Sequence, residues 1–201
     1  MAVAGVLALQ GDFEAHARIL RRAGAEAIEV RTAADLDAAG GLIIPGGEST
    51  TMLKLLREED MFEAVRAFGQ TRPIFGTCAG AILLAKHVTA PAQVSLGLID
   101  IDVERNAYGR QLDSRIVTID APGLDGGKME AVFIRAPIIR RAGPEVGVLA
   151  RYQGSPVLVE QGRHMAATFH PELTGDLRVH RYFLEKVEEN AAQARPVSVH
   201  R

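Results

Sequence analysis

The sequence predicts one three-layer α/β sandwich built on a central, mostly parallel sheet. Three observations carry that prediction. Short β-type runs alternate with helical ones in the first half of the chain, the pattern of a parallel sheet covered by helices. Val3 to Leu9 is almost continuously apolar, as suits a strand buried on both faces. The 201 residues are 47% hydrophobic, enough for one substantial core, and no repeat, linker or low-complexity block divides them.

Val3 to Leu9 is the first strand. Asp12 caps a helix in which Phe13, Ala17, Ile19, Leu20 and Ala23 recur near helical spacing, and Gly24 ends it. Ala27 to Val30 is a short strand, and Leu42-Ile43-Ile44 is another, cut by Pro45-Gly46-Gly47. Ser49 or Thr50 opens a helix carrying Met52, Leu53, Leu55 and Leu56, and a further helix covers Met61 to Phe68. Pro73-Ile74-Phe75 is the next strand and Ala79 to Lys86 the next helix. Beyond residue 90 the texture changes to strands with Gly-rich turns: Leu98 to Val103, Arg115 to Ile119, Met129 to Ile134, Pro156 to Glu160 and His164 to Phe169. A last amphipathic helix, Asp176 to Asn190, buries Val179, Phe183 and Val187 on one stripe. Residues 1–190 thus read as the domain, and 191–201 as a small, polar, flexible tail.

Charge and cysteine content exclude several function classes. Lys and Arg total 23 against 25 Asp and Glu, a formal charge of −2. Binding phosphates needs clustered cations, so neither nucleic acid nor an anionic membrane is an expected partner. One cysteine makes no internal disulfide and no CxxC redox or zinc pair, which fits a reducing, cytoplasmic setting. Met1 to Leu9 lacks a basic leading region and reads as a strand rather than a signal peptide. No apolar run nears the ~18 residues that cross a bilayer.

The cysteine lies in Phe75-Gly76-Thr77-Cys78-Ala79-Gly80, between a predicted strand and a predicted helix. This G-x-C-x-G elbow is the thiol counterpart of the G-x-S-x-G turn. Glycines on either side let backbones pass without Cβ clashes, and the helix start offers N–H groups and positive potential to a thiolate. The bland alternative is a buried cysteine packing as a small hydrophobe. A thiolate nucleophile needs a base, and the base an orienting acceptor. His170-Pro171-Glu172 follows a strand, and in extended chain positions i and i+2 share a side, so Glu172 can hold one imidazole nitrogen while the other faces Cys78. Alone, an H-x-E is more simply a surface loop. The other histidines read as solvated or packing residues: His16, His180 and His87 on helices, His164 opening a strand, His200 in the tail. A metal site from His164 and His170 lacks any further ligand pattern, and no cofactor is expected. Pro45-Gly46-Gly47-Glu48-Ser49-Thr50 again joins a strand to a helix, and its paired glycines can turn an N–H toward an oxyanion. It contains no phosphate-loop motif.

Taken together, residues 45–50, 75–80 and Phe169-His170-Pro171-Glu172-Leu173-Thr174 resemble the class I (triad) glutamine amidotransferases, whose fold is flavodoxin-like. Leu9-Gln10-Gly11-Asp12, Val103-Glu104-Arg105-Asn106 with Gly109-Arg110-Gln111, and Phe133-Ile134-Arg135-Ala136-Pro137 narrow the resemblance to the glutaminase subunits of pyridoxal phosphate synthases. It covers about residues 3 to 190. The resemblance implies hydrolysis of L-glutamine to glutamate and ammonia by Cys78, His170 and Glu172, with backbone N–H groups of Gly47 and Ala79 as the oxyanion site. It places the substrate's polar ends at Gly47, Glu48 and Ser49, at Arg105, and at Ile134 and Arg135. It also implies a synthase subunit that receives the ammonia through an enclosed route and completes the oxyanion site near Gly46 and Gly47, with Gln10 and the segment after it at the interface. Two other functions fit the same residues: the glutaminase of a different synthase, such as that of imidazole glycerol phosphate, and a non-catalytic glutamine-sensing module with a buried Cys78.

Overall fold

A computed structural model describes residues 2–106 and 114–194. Strands β1 (Val3–Leu7), β2 (Glu26–Val30), β3 (Gly41–Ile44) and β4 (Ile74–Thr77) are joined by helical crossovers: α1 (Phe13–Arg22), a 3-10 turn over Ala33–Ala38, and the pair α2 (Ser49–Glu58) and α3 (Met61–Thr71). Helix α4 (Ala79–Leu84) leaves β4 and runs directly into β5 (Ala85–Thr89). Then come β6 (Ile99–Glu104), β7 (Ser114–Asp120), β8 (Lys128–Ile134), β9 (Ile138–Ala142), β10 (Gly147–Tyr152), β11 (Ser155–Gln161), β12 (His164–Ala167) and helix α5 (Arg178–Gln193).

Nine strands form one sheet in the order β2-β1-β3-β4-β12-β11-β10-β7-β8, and β5-β6-β9 form a small second sheet. From β2 to β12 every neighbour is parallel; from β12 to β8 every neighbour is antiparallel. The division follows from connection length, because a crossover helix permits a parallel neighbour and a tight turn permits only an antiparallel one. Ile44 of β3 pairs with Gly76 of β4, and Ala167 of β12 with Thr77. The carboxyl ends of β3, β4 and β12 are therefore level, and the three segments that follow them emerge side by side.

Alternate residues of these strands feed two apolar clusters, one on each face. Leu7, Leu42 and Ile44 pack with Met52, Leu56 and Val65 of α2 and α3, whereas Val6, Ile43 and Phe75 pack with Leu20 of α1 and Phe183 and Val187 of α5. Burial on both faces explains why β1 and β3 read as unbroken apolar runs, each large side chain contributing about 1.5–3 kcal/mol.

Several elements differ from the sequence expectation. The helix expected over Ala79 to Lys86 ends at Leu84, and the next five residues pair with β6. A short apolar run suits either state, and the partner strand decides. His87 accordingly lies on β5, exposed, rather than on a helix. Strands β9 and β10 and the turn over Ala33–Ala38 were not anticipated. Helix α5 continues past Asn190 to Gln193, as two consecutive alanines favour. The rest of the expected tail, 195–201, and the motif positions Gly109, Arg110 and Gln111 lie outside the described residues. Among the described residues no helix is long and apolar enough to cross a membrane.

The core carries a built-in acid sensitivity. Burial lowers His16, His180 and His164, the last to about 4 with its Nδ1 accepting from the Ile74 N–H. The unfolded chain takes up these protons below pH 6.5 and the fold refuses them, so stability present above that pH is lost as pH falls toward 4. For His164 alone the loss is roughly 3 kcal/mol. Denaturant midpoints measured from pH 7 to pH 4.5 are expected to fall steadily, and His164→Gln to flatten that slope; an unchanged slope would remove His164 as a cause.

Candidate active site

Cys78 stands on the corner between β4 and α4 with φ 49 and ψ −102, a region non-glycine residues rarely occupy. Its two flanking glycines are required by close packing. A Cβ on Gly76 would lie 2.4 Å from the carbonyl carbon of Gly80, and one on Gly80 would lie 2.1 Å from the Ile44 oxygen of β3. The corner is pinned to the neighbouring strand by the Cys78 N–H, which donates to Ala167 O at 2.8 Å. The thiol lies 3.9 Å from the Ile134 carbonyl.

The segment after β3 lies against this corner. A Cβ on Gly46 would meet His170 Cε1 at 2.4 Å and Cys78 Cβ at 3.3 Å, so the glycine lets the loop, the imidazole and the nucleophile close on one another. Gly47 has φ 142, and the Gln10 side chain covers it while donating to Glu48 O at 3.2 Å. Glu48, rather than Ser49 or Thr50, is the N-cap of α2: its carboxylate accepts from Thr50 N at 3.0 Å and Thr51 N at 2.7 Å. Partial burial opposes ionisation, but these bonds at the positive helix end outweigh it and hold Glu48 at about 2. Ser49 is buried and donates to Gln93 Oε1 at 3.1 Å.

The segment after β12 completes the site. His170 N–H donates to Val132 O, and Nδ1 lies 2.7 Å from Glu172 Oε1, with the glutamate 3% exposed. Burial alone would lower His170, but its hydrogen bonds to Cys78 and Glu172 outweigh that and raise it to about 10. Burial would likewise raise Glu172; His16 and the hydrogen bond from His170 keep it lowered and ionised. A buried carboxylate behind an imidazole that can hold the proton of a neighbouring sulfur is the arrangement that activates a sulfur nucleophile.

These groups open on a cavity of about 190 Å³ lined by Gly47, Glu48, Ser49, Cys78, Ile82, Arg105, Asn106, Ile134, Arg135 and His170. Its lining includes every expected substrate contact. Arg105 is largely buried, its Nη2 donating to Thr50 Oγ1 at 2.7 Å and lying 3.4 Å from Glu48 Oε1. Arg135 is exposed, with φ 45. Ala79 opens α4 directly after the nucleophile. Glu172 lies behind His170 rather than in the cavity wall. A larger cleft of about 640 Å³ between α2, α3 and β5 is lined by none of these residues and lies away from this chemistry. His164 and His170 sit at opposite ends of β12, so no metal pair forms between them.

Sequence reasoning missed Gln93, Ile82 and Asn106, and it placed His16 and His180 only as solvated or packing residues. Both are fully buried and join the back of the site: His16 Nε2 lies 3.3 Å from Glu172 Oε2, and His16 Nδ1 lies 3.0 Å from His180 Nε2. A signal existed. His16 falls on the apolar stripe of α1 with Phe13 and Leu20, and His180 on that of α5 with Phe183, Leu184 and Val187.

The sequence model of the SNO glutamine amidotransferase family matches residues 6–189. The pyridoxal 5'-phosphate synthase subunit PdxT of Solibacter usitatus is 63% identical over 188 residues, spanning 91% of this chain and 98% of that protein. The subunit of the same name from Thermotoga maritima is 50% identical over 185 residues, spanning 92% and 98%. A crystal structure of a glutamine amidotransferase superposes with a TM-score of 0.87 at 51% identity, over 93% of this chain and all of that one. The structure of PurLQS from Thermotoga maritima shares the fold at a TM-score of 0.68 and 19% identity, over 96% of this chain and 98% of that one.

Proposed function

Because the chain belongs to the SNO glutamine amidotransferase family, we propose that the cavity above Cys78 is its glutaminase site, with Cys78, His170 and Glu172 as the triad. The protein hydrolyses glutamine and supplies the ammonia for pyridoxal phosphate synthesis, as its PdxT relatives indicate. The observation that carries the site assignment is convergence: three level strand ends bring the Gly46-Gly47 loop after β3, a strained cysteine after β4, and after β12 a histidine raised to about 10 with a buried glutamate behind it, to one cavity.

The chemistry follows from the geometry. The Cys78 sulfur, its proton held by His170, attacks the carboxamide carbon, and N–H groups of Gly47 and Ala79 stabilise the oxyanion. The C–N bond then breaks, His170 giving its proton to the departing nitrogen. Neutral His170 next takes a proton from water, the hydroxide oxygen bonds to the thioester carbon, and the C–S bond breaks to release glutamate. Glu172 stays ionised throughout, holding Nδ1. The side chains of Glu48 and Ser49 are committed to the α2 cap and to Gln93, so what they offer substrate is main chain. Arg105 and Arg135 suit the substrate carboxylate, since a guanidinium keeps donors beyond those already engaged.

The reading includes a cytoplasmic location and a synthase partner that takes up the ammonia before water protonates it, bound where Gln10 covers Gly47. An electrophilic glutamine analogue is expected to add one adduct at Cys78 by intact mass with the synthase subunit present; no adduct would overturn the assignment. Glu172→Gln is expected to slow kcat by on the order of 10²–10⁴-fold without abolishing it, because an amide leaves the imidazolium uncompensated. Wild-type turnover in that variant would remove Glu172 from the triad.

A further inference from the structure

Behind the triad, a chain of buried polar groups ends in a carboxylate oxygen that nothing in the reaction explains. Glu172 Oε1 is held by His170, but Oε2 accepts no fully formed hydrogen bond among the described residues. The ring nitrogen facing it is His16 Nε2, at 3.3 Å, which also lies 3.1 Å from Thr77 Oγ1 on the strand that leads into Cys78. An ionised carboxylate only accepts, so the tautomer that carries the proton on His16 Nε2, shared between Thr77 Oγ1 and Glu172 Oε2, is the one that sets no lone pair against a buried negative charge. His16 Nδ1 is then an acceptor, and His180 Nε2 donates to it across 3.0 Å. Among the described residues His180 Nδ1 has no partner and ends this series of groups, with Phe75 packed edge-on against the ring.

We propose that His16 is a positioning residue of the glutaminase site: its neutral Nε2–H, oriented by His180, supports the second oxygen of Glu172 and thereby fixes the direction and tautomer of His170. Three secondary-structure elements meet in this contact, so the docking of α1 and α5 on the sheet is coupled to the alignment of the triad. Burial keeps His16 itself lowered, hence uncharged, which makes it a donor rather than a second cation beside His170. The groups that face it are Glu172 and His170 from the segment after β12, His180 from α5, Asp12 ahead of α1, and Thr77 of β4.

The inference rests on the glutaminase reading, and its test separates the two. Glutamine hydrolysis is measured with the synthase subunit present, and active sites are counted with the electrophilic analogue. His16→Leu, which fills the space without donating, is expected to lower kcat per active site about ten- to a hundredfold with KM nearly unchanged. The acid limb of its pH profile moves to higher pH, because Glu172 loses a donor to its charged form. His16→Gln, whose amide reaches the Nε2 position, recovers most of both. Wild-type kcat and acid limb in His16→Leu, or equal losses in both variants with the limb unmoved, would overturn the inference while leaving the glutaminase intact. A wild type that neither hydrolyses glutamine nor takes the label overturns the reading and the inference together. Should His16→Leu not fold, imidazole nitrogen shifts of the wild-type protein decide: the Nε2–H tautomer of His16 is expected at pH 7, and the Nδ1–H tautomer refutes the role.

Discussion

Cys78→Ala is expected to abolish glutamine hydrolysis, with kcat falling by on the order of 10⁶-fold, while the protein stays folded and keeps its synthase partner. A loss of that size is expected because every covalent step of the proposed mechanism passes through one sulfur. Neither Glu172 nor His170 can replace it, because no other thiol exists in the sequence. The fold survives for a local reason. Cys78 is 6% exposed and small, and its φ of 49 strains alanine as much as cysteine, so the substitution removes a sulfur without changing the backbone cost. His170→Ala is expected to match it in activity. Comparing hydrolysis, thermal midpoint and synthase pull-down for both variants checks this; residual turnover in a folded Cys78→Ala protein would refute the nucleophile.

Gly80→Ala is expected to destabilise the protein by about 3 kcal/mol and to take the activity with it. Helix propensity argues the other way, since alanine is about 1 kcal/mol better than glycine inside a helix. Sterics win here because the new Cβ would sit 2.1 Å from the Ile44 oxygen and 3.0 Å from its carbon, both main-chain atoms of a central strand that cannot swing aside. Helix α4 must lift away from β3, and Cys78 at its first turn moves with it. Gly175→Ala is the control: nothing lies within 4 Å of its Cβ position and its φ is unrestricted, so its stability should change by less than about 0.5 kcal/mol. Urea denaturation of the two variants tests the contrast, and equal midpoints would show that the elbow tolerates a methyl group.

The strongly periodic elements were legible because burial leaves a direct trace in the chain. β1 and β3 are apolar on both faces, and α1, α2 and α5 carry single stripes. Strands β5, β9 and β10 were not legible, since Lys86-His87, Arg140-Arg141 and Arg151 interrupt their apolar residues and pairing alone holds them extended. The small sheet follows from the same cause. Arg141 reaches Asp100 and Asp102 across the β6–β9 pair, a cross-strand match that exists only once the strands meet.

At the site, local sequence specified what each segment is: a strained elbow at Cys78, a loop that must stay free of side chains at Gly46 and Gly47, and a histidine and glutamate spaced to share one side of an extended chain. These are properties of a few adjacent residues, and their chemistry is written in residue type and spacing. Convergence is a different kind of fact. It required β12, formed some ninety residues after β4, to return parallel to it with Ala167 level with Thr77, and that register is set by pairing across the sheet. The partnership of His16 and His180 with Glu172 belongs to the same class, because it joins side chains from α1, α5 and the segment after β12 whose separation in sequence, 164 residues between the two histidines, leaves no local trace of their contact.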